Sequence, residues 1–156
     1  MKSFPDTSLT STTTPSTSDE TDDLRPKVLV VATDRDAFGI PVEQVREVIR
    51  MGALHWVPGS PSVLRGITNV RGTIVTVLDL QAILSGERAV TAGSIVLLEY
   101  GSRLIGLAVR AVYDVRAIDE PPESQSEPAP VGDHIVPLDA VALCARHLHS
   151  ADERER

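Results

Sequence analysis

The stretch from residue 64 to residue 80, LRGITNVRGTIVTVLDL, restricts the possible folds of this chain more than any other. It opens on a half-polar segment punctuated by Gly66 and Gly72 and runs into a dense apolar, β-branched series. Gly72 adopts a positive φ without steric penalty, so Arg71-Gly72 can reverse the chain tightly. The flanking runs are short and β-branched, which makes the reversal a hairpin between two strands. Arg71 then stands at the hairpin tip, where a neighbouring carboxylate can hold it or a partner can meet it.

The same alternation of short apolar runs and turn residues extends along the chain. Residues 28–32 read as a strand, residues 34–36 as a polar turn and residues 37–40 as the return strand. Pro41 suits the first position of one or two helical turns reaching Val45, after which residues 47–50 return to strand. Residues 55–61 form a loop stiffened by Pro58 and Pro61, with Ser60 capping a single helical turn that ends at Leu64. Trp56, the sole tryptophan, is expected as a lid on the core. A short helix over residues 79–84 ends at Ser85-Gly86, and residues 87–93 make a polar, exposed linker. Residues 94–100 and 104–109 pair through a Gly101-Ser102 turn. Residues 111–118 continue as a bent strand with Asp114 and Arg116 outward, and residues 134–138 form the last strand. Asp139 caps a helix to about His149. Eight or nine short strands with few helical turns give a mainly β chain, a sandwich or small barrels, split by the linker into two groups.

Aromatic residues are only 3%, so the core must be built from Val, Leu, Ile and Ala. The net charge of −7 argues against wholesale attraction to nucleic acid or anionic lipid. Cys144 is the only cysteine, which rules out an intrachain disulfide. With no apolar leader and no run of membrane-spanning length, a cytoplasmic chain without membrane insertion is expected. Residues 1–25 are Ser/Thr-rich and expected to be a disordered tail. Residues 119–131 are acidic and carry prolines that forbid ladder pairing. Residues 150–156 are expected to fray.

Motifs of catalysis are missing. The chain has neither a glycine-rich phosphate loop nor a Gly-x-Ser-x-Gly elbow. Cys144, His147 and His149 are close in sequence, but on a helix the two histidines point in different directions and no fourth ligand is evident. No metal, cofactor or catalytic residue is expected, and the profile suits a binding module.

Several segments together carry a resemblance. Residues 38–49 (FGIPVEQVREVI), residues 57–61 (VPGSP), the 64–80 stretch, residues 104–109 and residues 112–115 are similar to the signature of CheW-like coupling domains. The likeness covers roughly residues 27–143. It implies two intertwined five-stranded SH3-like barrels within residues 26–149, one over about 37–86 and the other over about 94–149, sharing the first strand. It further implies a non-enzymatic adaptor between the regulatory domain of a CheA-type histidine kinase and the cytoplasmic tips of chemoreceptors. A stand-alone regulatory domain binding a response regulator or scaffold is the alternative. The positions carried over as partner-binding are Val45, Glu47, Gly66, Asn69 and Arg71, with Glu47 and Arg71 expected to pair across adjacent strands. Two departures stand out: Arg110 occupies a position where the family often has Asp, and the region before the last strand looks shortened, so a trimmed second barrel is expected.

Overall fold

A computed structural model describes residues 26–117 and 135–154, with side chains through residue 149. The Ser/Thr-rich tail, the acidic proline-rich segment and the last two residues fall outside the described residues. In chain order the elements are β1 (Lys27–Ala32), β2 (Ala37–Pro41), a 3-10 turn (Val42–Gln44), β3 (Val45–Arg50), β4 (Leu64–Val70), β5 (Thr73–Asp79), α1 (Leu80–Ser85), β6 (Ser94–Tyr100), β7 (Arg103–Val109), β8 (Ala111–Ala117), β9 (Ile135–Pro137) and α2 (Ala140–Arg154). The expected turns at Pro41 shrink to the 3-10 turn, which Pro41 precedes in extended conformation. At the other end α2 runs past the expected stop at His149.

The strands form two sheets, one of four in the order β8-β1-β2-β9 and one of five in the order β3-β6-β7-β5-β4. The fold is therefore mainly β with few helices, as the sequence suggested. The linker does not divide the strands into sheets, however. β6 and β7 lie after it, yet they sit between β3 and β5, which precede it. Both ends of the described chain contribute to the smaller sheet.

Strands β5, β6 and β7 lie inside the five-stranded sheet and bury apolar side chains on both faces. Leu78, Val96, Leu98, Ile105 and Leu107 join Leu29, Val31, Phe38 and Ile40 in a core between the sheets, sealed by Ala140 and Cys144 of α2. The opposite face supplies Val75, Val77, Ile95, Leu97 and Ala108 to a second, smaller cluster, with Ile49 and Val70 from the edge strands packed on it. A bulge in β3 explains how one strand serves both clusters. The register with β6 slips between Val45 and Glu47. Such a slip reverses the parity of the side chains, so Val45 packs on the first cluster and Ile49 on the second.

Asp79 ends β5 and caps α1, accepting from the Ala82 amide at 3.1 Å, while Gly86 closes the helix in the left-handed region. Two expectations fail in the loop after β3. Residues 61–64 make a turn closed by the Leu64 amide on the Pro61 carbonyl, with no helical turn. Trp56 does not cover the core; it is 66% exposed. Neither hydrophobic cluster includes it.

Candidate functional site

The β4–β5 hairpin is the reversal anticipated at Arg71-Gly72. Val70 pairs with Thr73, and both turn residues have positive φ, 51° at Arg71 and 86° at Gly72. This is the type I′ arrangement whose twist matches a two-residue hairpin. Gly72 meets the requirement freely, whereas Arg71 is the one non-glycine residue with positive φ among the described residues. Asn69 stabilises the reversal by accepting from the Gly72 amide at 2.8 Å. A strained backbone position at an exposed tip points toward function more than toward stability.

Arg71 Nη2 donates to Glu47 Oε1. The pair was expected across adjacent strands, but β3 and β4 are the opposite edges of the five-stranded sheet. The contact therefore crosses the seam where the curled sheet brings its two edges together. The chain following β3 narrows that seam further: His55 and Ile67 exchange backbone hydrogen bonds of 2.8 and 2.9 Å. Gly66 makes this approach possible. Its φ is +153°, and a Cβ there would lie 2.7 Å from the His55 carbonyl oxygen. Hydrogen bonding and the charge of Glu47 raise the Arg71 guanidinium pKa above its ordinary value. With 73% of its side chain exposed against 31% for Glu47, Arg71 is held but not covered.

The five carried-over positions thus separate into two groups. Glu47, Asn69 and Arg71 come together at the hairpin tip. Val45 packs on the larger core, and Gly66 is buried against His55, so neither presents a functional group there. Sequence reading missed the support at the opposite, open end of the same hairpin. Asp79 is completely buried and accepts from Arg65 Nη1 at 2.8 Å and from the Ala89 amide at 3.3 Å. Arg88 donates to the carbonyls of Ser62 and Leu64, so the linker is tied to β4 at this point. An aspartate placed just before a helical segment was the available signal for Asp79 as a cap; nothing local reveals Arg65 as its partner, since the two meet only through the β4–β5 register. Arg110, the departure from the family pattern, lies 3.7 Å from Asp34.

Charge is distributed unevenly along the chain. Eleven of the 15 Lys and Arg residues, but only nine of the 22 Asp and Glu residues, lie within residues 26–117 and 135–149. The net acidity therefore belongs to the remaining segments, and the described surface is slightly basic. Among the described residues no helix is long and apolar enough to cross a membrane, and no group of three His, Cys, Asp or Glu side chains is placed to hold a metal ion.

Comparisons with known proteins agree on one family. The model of the CheW-like domain matches residues 27–141. The chemotaxis protein CheW of Klebsiella aerogenes is 28% identical over 108 residues, which cover 65% of this chain and 61% of that protein. Protein FrzA of Myxococcus xanthus is 35% identical over 97 residues, covering 61% of this chain and 59% of FrzA. The chain thus aligns with about three-fifths of the length of these relatives. Among solved structures, the scaffolding protein TtCheW from Thermoanaerobacter tengcongensis is similar with a TM-score of 0.57 at 29% identity, covering 67% of this chain and 75% of that one.

Proposed function

The chain belongs to the CheW-like domain family, and on that premise we propose that it is a non-enzymatic adaptor coupling chemoreceptors to a CheA-type histidine kinase. It makes and breaks no covalent bonds; it works in the cytoplasm, at membrane-attached receptor arrays, through surfaces presented by residues 26–149. The observation that carries this reading is the clasp at the seam. Glu47 fixes an exposed arginine on a positive-φ hairpin, an arrangement that gains little stability in water but orients a guanidinium for a partner carboxylate. Glu47, Asn69 and Arg71 meet the partner directly, while Val45 and Gly66 set the backbone beneath them. The names of the relatives, a chemotaxis protein and a scaffolding protein, support the same role.

The test is co-purification of tagged full-length chain from its native cells. The unaltered chain should bring down a histidine kinase and a receptor together. Arg71→Ala should stay folded by circular dichroism and lose at least one of them. Exchanging the charges, Glu47→Arg with Arg71→Glu, rebuilds the ion pair with reversed polarity and should not restore coupling. If Arg71→Ala keeps both partners, the tip is only structural.

A further inference from the structure

A cleft of about 880 Å³ adjoins the hairpin tip, where Thr73 and Ile74 at the start of β5 and the β6–β7 turn face the C-terminal half of α2. Its apolar surface comes mainly from Ile74, Leu104 and Leu148, and Tyr100, Arg103 and His149 supply the polar groups. Two threonines and a serine add hydroxyls to the walls. Tyr100 Oη and His149 Nε2 are 3.3 Å apart, which ties the turn to the helix. Ile74 is 63% exposed although it belongs to a strand otherwise rich in buried residues.

We propose that this cleft docks an amphipathic segment of a partner protein, one that packs leucine-sized side chains on Ile74 and Leu148 and sets a carboxylate on Arg103. Three features on this surface select that occupant. First, no carboxylate is found among the described residues that line the cleft. Second, Arg103 forms no ion pair with any described residue, so its charge is available. An apolar surface with an uncompensated cation at its edge is complementary to an apolar segment carrying an anion. Third, hydroxyls distributed over the walls offer partners to peptide N–H and C=O groups. A fatty acid shares the anionic and apolar chemistry but has no use for those hydroxyls along its chain. Glu47 and Arg71 do not line the cleft, so this proposal does not rest on the role given to them.

The probes are two synthetic peptides and laurate, titrated into the isotopically labelled full-length chain and followed by amide chemical shifts. One peptide is amphipathic, with leucines at helical spacing flanked by glutamates; its twin carries lysine at each glutamate position. The acidic peptide should shift amides of β5 and of the β6–β7 turn, and the lysine twin should bind more weakly. Arg103→Glu should reverse that order, weakening the acidic peptide and tightening the lysine twin by roughly tenfold each. Ile74→Ser should weaken both peptides alike. Both positions are solvent-exposed, and unchanged circular dichroism verifies that the variants fold. Equal affinity for the two peptides, shifts confined to other surfaces, binding of laurate but neither peptide, or no binding at all would overturn the proposal.

Discussion

Removing the Asp79 carboxylate should destabilise the fold more than any other single polar substitution in the described chain. Asp79 has no exposed surface, and three donors converge on it: Arg65 Nη1, the Ala82 amide and the Ala89 amide. Asp79→Ala deletes the cap of α1, which costs about 1 kcal/mol. It also strands a guanidinium that is only 21% exposed and leaves the buried Ala89 amide without an acceptor. Breaking a buried pair from one side costs about 3–5 kcal/mol, and the partial exposure of Arg65 places this case near the lower figure. The expected loss is therefore about 4 kcal/mol out of a total stability of about 5–15 kcal/mol. For a chain of this size that corresponds to a fall in Tm of roughly 8–16 °C. Urea unfolding followed by far-ultraviolet circular dichroism would measure it. A double-mutant cycle separates the charge from the cap. Arg65→Met alone leaves a buried carboxylate without its cation, whereas Arg65→Met combined with Asp79→Ala removes both charges and should recover about 2 kcal/mol relative to the sum of the single losses. A loss below about 1 kcal/mol for Asp79→Ala, or strictly additive single effects, would refute the idea that this pair anchors β4 to α1.

Other outcomes follow from the same structure. Gly106→Ala puts a methyl 2.9 Å from Ile95 Cγ2 and 3.0 Å from Val77 Cγ2 inside the smaller cluster, and should cost about 1–3 kcal/mol in urea unfolding. Burial pushes the Cys144 thiol pKa up to about 12 from an ordinary 9.0. Between those values the folded chain keeps a proton that the unfolded chain releases. The stability tied to this group is therefore complete below about pH 9 and is lost as pH rises toward 12; Cys144→Ala should flatten the alkaline fall in unfolding midpoint. Trp56 fluorescence in the native chain should be quenched by acrylamide almost as strongly as in urea, because its ring faces solvent.

What the sequence made legible was local. The type I′ hairpin, the cap at Asp139 and the closure of α1 at Gly86 are each fixed by two to four neighbouring residues, and the structure shows each of them. The ion pair of Glu47 with Arg71 came from the family resemblance and is present, but its setting was misplaced. Strand adjacency depends on the long-range order β3-β6-β7-β5-β4, which includes a parallel β5–β7 pair that no hairpin signal encodes. Trp56 was misread for a related reason. Large aromatics are usually buried, yet here both clusters form without Trp56, mostly from Val, Leu and Ile.

The charge of the whole chain conceals how that charge is distributed. A net −7 speaks against anionic partners only if the acidic residues share the surface with the basic ones. They do not: the described surface holds a small excess of bases, and its tip and its cleft each present an arginine. Arg71 and Arg103 are both reached from solvent, but Arg71 is already matched by Glu47 whereas Arg103 is not. An anionic partner at the tip must compete with a carboxylate in place; one at the cleft need not. Salt should therefore act differently at the two surfaces. At the tip, screening weakens both the partner contact and the resident pair, so the two losses partly offset each other. At the cleft only the partner contact is weakened, and affinity for the acidic peptide should fall more steeply with ionic strength. Titrations of that peptide at low and high salt, read at amides of the β6–β7 turn, give the slope at the cleft, and co-purification of the kinase and receptor at the same salt concentrations gives the slope at the tip; equal slopes would mean that Glu47 does not occupy Arg71 in solution.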